Sequence, residues 1–104
     1  MTISLLFISY PRLILFTVYA LYSPKSIKHY YGYTSDMEAR LLSHNFLGKD
    51  WTAKYRPWAI IYTKAFGTKQ EAILHEKWLK TGAGRAFIKS LPHPAKDNEV
   101  GKRI

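Results

Sequence analysis

Two short segments, FTVYALY (residues 16–22) and HYYGYT (residues 29–34), constrain this chain more than any other feature. Both are rich in β-branched and aromatic residues, which fit a pleated, half-buried surface. Between them lies SPKSIK, a turn-forming basic stretch, so the pair reads as a β-hairpin. A register that pairs Tyr22 with Ile27 also sets Tyr19 directly opposite Tyr30, with two phenols sharing one face. Gly32 in the middle of HYYGYT signals that a neighbouring backbone or a ligand comes close.

The rest of the chain alternates short strands and helices. Ser35 and Glu38 have capping-box spacing, so a helix is expected from about Asp36 to His44. On it Met37 and Leu41 form the apolar stripe, and Arg40 and His44 lie side by side at its edge. NFLGKDWTAKYRP has no clear periodicity and reads as a loop, whereas WAIIYTKAF (residues 58–66) has the composition of a third strand. Thr68 and Glu71 repeat the capping-box spacing and open a helix through about Thr81. Gly82 and Gly84 break that helix, and RAFIKSL reads as a short further one.

A chain of 104 residues is one domain with a modest core, and 47% apolar content suits a folded globule. The net charge of +9, from 16 Lys and Arg against 7 Asp and Glu, points to an anionic partner, of which nucleic acid is the commonest. Cysteine is absent, which excludes disulfides and thiolate zinc sites. The opening run, MTISLLFISYPRLILF, has the length of a bilayer span when continued to Tyr22, but Pro11 and Arg12 sit in its middle. An Arg at that depth costs about 2.5–3.5 kcal/mol, and neither a basic leader nor a small-residue cleavage site precedes the domain. Residues 1–15 are therefore read as an apolar N-terminal extension, with membrane attachment as the lesser alternative, and residues 92–104 as a polar tail.

Several side chains are candidates for chemistry. Glu76 sits on the long helix among Ala72, Ile73 and Leu79, where a carboxylate is costly unless it is paired or binds a metal. Lys80 at i+4 offers the plain alternative of an ion pair. Arg40 is either a solvated surface cation or, beside His44, a bidentate phosphate clamp. The phenols are by default strand packing, since an unperturbed phenol with a pKa near ~10 is a poor base; beside a cation or a metal-bound water one can act as acid or base. No H-E-x-x-H spacing supports a zinc site.

Taken in order, Thr17-Val18-Tyr19, Tyr30-Tyr31-Gly32, Arg40 eight residues after the glycine, His44 one helical turn on and Glu76 on a later helix resemble the GIY-YIG nuclease family. The likeness covers residues 16–91 and is greatest to small single-domain bacterial members, through YYGYTSDMEARLLSHN and WTAKYRPW. It implies an α/β fold of the α+β kind, a small three-stranded antiparallel sheet flanked by helices. It also implies a candidate catalytic set of Tyr19, Tyr30, Arg40, His44 and Glu76, with Gly32 structural. In such enzymes the glutamate holds one divalent metal, here Glu76 with Mg2+ or Mn2+, a tyrosine helps activate the attacking water, and the arginine steadies the developing charge. Thr17 and Tyr31 depart from the motif letters at packing positions, and Tyr33 stands where some relatives carry a lysine.

Cations outside this set fit a nucleic-acid surface. Lys49, Lys54 and Arg56 flank Trp51 and Tyr55, and Lys77, Lys80 and Arg85 follow on the later helices. Trp51 is read either as a buried residue or as an exposed platform for an unpaired base. The expected activity is a metal-dependent endonuclease hydrolysing DNA phosphodiesters, selecting structure rather than sequence, on branched or flapped DNA. Its setting would be cytoplasmic, in DNA repair or recombination, with no small-molecule cofactor. The alternative is a non-catalytic nucleic-acid-binding module of the same fold.

Overall fold

A computed structural model of the protein describes residues 14–95. The apolar run before Ile14 and the tail from residue 96 lie outside the described residues. Three strands, β1 (Phe16–Ser23), β2 (Lys28–Thr34) and β3 (Ala59–Phe66), form one antiparallel sheet in the order β2-β1-β3. Three helices accompany it: α1 (Met37–Leu42), α2 (Lys69–Leu79) and α3 (Gly82–Ser90). Among the described residues no helix is long and apolar enough to cross a membrane.

Central β1 organises everything else, because its alternating side chains feed two separate cores. Val18 and Ala20 point to one face, where Ala72 and Leu79 of α2 and Ile88 of α3 bury them, with Tyr31 and Tyr33 packed alongside. Tyr19 and Leu21 point to the other, against Trp58, Tyr30, Tyr55 and the α1 residues Met37 and Leu41. The apolar stripe expected on α1 is thus the one that packs.

The hairpin forms, but its register is not the expected one. Tyr22 pairs with His29 and Tyr19 with Gly32, because β1 runs on through Ser23 and the turn occupies residues 24–27. The slip is one residue on each strand, two in pairing, so every side chain keeps its face. Tyr19 and Tyr30 still share a face, as diagonal rather than direct neighbours, with ring centroids 6.3 Å apart.

Helix ends differ in similar ways. Asp36, not Ser35, caps α1, its carboxylate accepting from the Ala39 N–H at 3.1 Å. Beyond Leu42 the helix widens into a π turn over Ser43–Leu47, extending past His44. The expected loop then contains a 3-10 turn, Trp51–Tyr55, capped by Asp50. Thr68 caps α2 as expected, accepting from Glu71 N–H and donating to its carboxylate. Gly82 and Gly84 do not lie in a break; they form the first turn of α3, capped by Thr81. Gly84 is where α3 meets the end of α2, since a Cβ there would stand 2.5 Å from Leu79 Cα.

Candidate active site

On the α1 face of the sheet, Tyr19 is fully buried and its ring lies over Gly32 of the neighbouring strand. A Cβ on Gly32 would stand 2.5 Å from Tyr19 Oη and 2.7 Å from Cζ, so the glycine is needed for the ring to lie there. The Tyr19 hydroxyl is 3.0 Å from Nε2 of His44, itself 2% exposed. Burial pushes the Tyr19 phenol up from its ordinary value, while the Arg40 guanidinium beside it pulls back and Glu76 pushes it further up. The phenol in turn holds Arg40 still more firmly protonated. His44 is held below its usual value, first by burial and then by the Arg40 charge, so its ring is neutral at pH 7.

Tyr30 is the more accessible phenol. It is half-buried, its ring 4.7 Å from that of His44 and 6.2 Å from that of Trp51, and its hydroxyl makes no hydrogen bond among the described residues. Arg40 also has unused capacity: its Nε is buried without a hydrogen-bond partner, and no carboxylate pairs with it among the described residues. Glu76 comes from α2, whose Ala72 and Leu79 pack on the opposite face of β1, yet its side chain, 15% exposed, lies near enough to Tyr19 for its charge to act on the phenol. Lys80 Nζ is 2.8 Å from Glu76 Oε2, the i+4 ion pair named as the plain alternative. Lys80 is 48% exposed, and so solvated a pair contributes at most about 1 kcal/mol, too little to exclude a cation that competes for the carboxylate.

The surface residues divide. Lys49, Trp51 and Lys54 are exposed, and of these Trp51 lies beside Tyr30; at 49% exposure, the exposed alternative for this indole is the one realised. Lys28 and Lys54 lie over the Tyr55 ring at 5.2 and 6.0 Å. Arg56, expected on the nucleic-acid surface, is instead turned inward: it donates to the carbonyls of Ser43, His44 and Gly48 and ties off the π turn that carries His44. Arg85 lies over Tyr31 on the opposite face of the sheet, away from Tyr30. Lys77 is exposed on α2. Tyr33 packs on the α2–α3 core with Tyr31, so the residue at the family's occasional lysine position points away from Tyr30.

Two residues of the site had no place in the sequence reading. Thr52 is 1% exposed with its Oγ1 3.0 Å from His44 Nδ1, and it donates to Asp50 Oδ1 at 2.6 Å. Asp50 followed two positions on by Thr52 is the spacing of an Asx turn, a local signal that was available; the link to His44 was not.

A profile of the family described as the GIY-YIG catalytic domain matches residues 15–85. The chain belongs to the GIY-YIG family. Membership implies a nuclease domain that acts on DNA, and GIY-YIG nucleases generally depend on a divalent metal. Among GIY-YIG relatives, a UPF0213 protein of Staphylococcus haemolyticus is 35% identical over 63 residues, 60% of this chain and 77% of its own. A UPF0213 protein of Staphylococcus saprophyticus is 40% identical over 61 residues, covering 58% and 74% respectively. One from Bacillus pumilus is 42% identical over 53 residues, 50% of this chain and 54% of its own. The solution NMR structure of a UPF0213 protein from Bacillus halodurans aligns over 74% of this chain and 84% of that one, with 29% identity and a TM-score of 0.46.

Proposed function

We propose that the protein is a metal-dependent endonuclease that hydrolyses DNA phosphodiesters and selects DNA structure rather than sequence. The observation that carries this is Arg40, a guanidinium with a buried, unpartnered Nε and no ion pair among the described residues. A buried guanidinium N–H without a partner is costly in a merely structural role, and the partly exposed group that carries it is suited to an anion with several acceptor oxygens. Tyr19, bonded to His44, and Tyr30, beside exposed Trp51, are the phenols that act on Arg40.

Each residue then has a role that its position allows. Arg40 holds the non-bridging oxygens of the scissile phosphate and stabilises the charge that builds there. Tyr30, whose hydroxyl is unengaged, orients the attacking water. His44 and Tyr19, both out of solvent, keep Arg40 in place. Glu76 would hold the divalent ion. Among the described residues no three His, Asp or Glu side chains converge, so a fully protein-caged ion does not fit. A largely hydrated Mg2+ that needs only one protein carboxylate would fit, with Glu76 supplying it. Once bound, that ion supplies Lewis-acid stabilisation of the phosphate and a more acidic water. Lys49, Lys54 and Lys77 contribute sequence-independent affinity, and exposed Trp51 offers a stacking face for an unpaired base. The sequence carries no base-reading motif beside them.

The test is cleavage of supercoiled plasmid and of flapped or branched duplexes, with magnesium or with chelator. Chelator should abolish cutting, and Glu76→Ala and Arg40→Ala should each reduce it by about 10²–10³-fold. Equal cutting by both variants would remove the enzyme reading. Salt-sensitive binding with no cutting by the wild-type protein would replace it with the non-catalytic binding module.

A further inference from the structure

Asp50, Thr52, His44 and Tyr19 form an unbroken line of hydrogen bonds: 2.6 Å from Thr52 Oγ1 to Asp50 Oδ1, 3.0 Å from Thr52 Oγ1 to His44 Nδ1, and 3.0 Å from His44 Nε2 to the Tyr19 hydroxyl. Each inner member is almost wholly buried, so no water competes for these atoms. The direction of every proton follows from one end. An ionised carboxylate only accepts, so the Thr52 hydroxyl must donate to Asp50; Thr52 has only one such proton, so towards His44 its oxygen can only accept. His44 therefore carries its proton on Nδ1, which leaves Nε2 as an acceptor and obliges the Tyr19 O–H to donate to it. The Tyr19 oxygen then keeps its lone pairs free for the Arg40 guanidinium, whose charge acts on this phenol.

We propose that Asp50 and Thr52 are positioning residues that set the tautomer of His44, and through Tyr19 fix the orientation of the phosphate-holding Arg40. With the opposite tautomer, His44 would donate to Tyr19 and compete with Arg40 for the same oxygen, while the Tyr19 proton faced a cation. The arrangement has a cation at one end, a carboxylate at the other and all intervening dipoles aligned, which is the favourable polarity for such a chain. A neutral ring is required throughout, and burial together with the charges of Arg40 and Arg56 keeps His44 neutral against the opposing pull of Asp50. Asp50 has an ordinary local duty as cap of the 3-10 turn, accepting the Thr52 N–H at 3.0 Å. That duty accounts for Asp50 but not for a buried threonine hydroxyl aimed at His44.

The role of Arg40 at the end of this chain rests on the nuclease reading; the proton positions do not, and they are measured separately. Long-range 1H–15N spectra of the full chain at neutral pH should show wild-type His44 as the Nδ1–H tautomer. In Thr52→Val, which keeps shape but removes the acceptor, His44 should move to the Nε2–H form, and Thr52→Ser should restore the wild-type pattern. On a DNA substrate Thr52→Val should lower kcat about ten- to a hundredfold with KM changed far less, and Thr52→Ser should recover most of it. A wild-type His44 protonated on Nε2 overturns the proposal without needing any variant to fold. So does a folded Thr52→Val protein with unchanged kcat. Tautomer shifts as expected in a protein that cuts nothing would support the proton wiring and remove the nuclease reading.

Discussion

Gly32 carries the sharpest residue-scale consequence. It stands opposite Tyr19 in the ladder, and the Tyr19 ring occupies the volume a side chain would need. The ring cannot retreat, since its hydroxyl is tied to His44 and the residue is fully buried. Gly32→Ala should therefore cost about 1–3 kcal/mol, an overpacking effect, seen as a lower urea midpoint at unchanged slope. An unchanged midpoint would mean that Tyr19 has another place to go. The glycine was conspicuous in HYYGYT as a point of close approach, and the residue that approaches proved to be the other motif tyrosine. The order of Tyr19, Tyr30, Arg40, His44 and Glu76 was equally legible, because motif residues are fixed by chemistry and spacing. What spacing could not convey is that Tyr19 is sealed while Tyr30 is open, or that Thr52 reaches His44. Those facts depend on how the π turn and the 3-10 turn fold back over the sheet, a matter of long-range packing rather than local pattern.

Among the elements, the β1–β2 turn shows where local reasoning stopped. Turn composition located it, and the loop length was right, yet Ser23 joins the strand and Ile27 the turn, in place of the reverse. Ile27 takes a left-handed backbone, φ 54°, with its N–H bonded to the Ser23 carbonyl at 2.7 Å and its side chain exposed. A β-branched residue is poorly suited to that conformation, so nothing in its identity announces it. Two consequences follow at this scale. The register error left the active-site face intact, because an even slip preserves which side chains share a face. Relief of the strain should also stabilise the hairpin: Ile27→Gly is expected to raise stability by up to about 1 kcal/mol, the gain in φ freedom being partly offset by a looser unfolded chain. Urea midpoints read the difference, and a clear loss of stability would show that the exposed isoleucine contributes more through packing than its backbone costs.

Over the whole molecule, burial of titratable groups sets a pH window for the fold. His29, His44 and His75 are all held below the usual histidine value, first by burial and next by neighbouring charge. His29 faces His93, Lys89 and Arg85; His75 faces Lys64; His44 faces Arg40 and Arg56 against Asp50. Each is neutral in the fold where the unfolded chain would take up a proton. Their contribution is complete above the ordinary value of 6.5 and is lost as pH falls through the depressed folded values. The phenols of Tyr19, Tyr31 and Tyr62 are displaced upward by burial, so the fold keeps protons that the unfolded chain releases, and stability falls as pH rises past the ordinary value of 10.0. A net charge of +9 adds self-repulsion that grows as the histidines charge, steepening the acid side. Urea midpoints taken from pH 5 to 11 should trace a plateau near pH 7–9 with a decline on both sides, the acid decline beginning below about 6.5 and accompanied by proton uptake on unfolding. A midpoint that holds steady from pH 7 to 5 would mean that these histidines ionise in the folded state as freely as in water, and would contradict the neutral His44 on which the arrangement behind Arg40 depends.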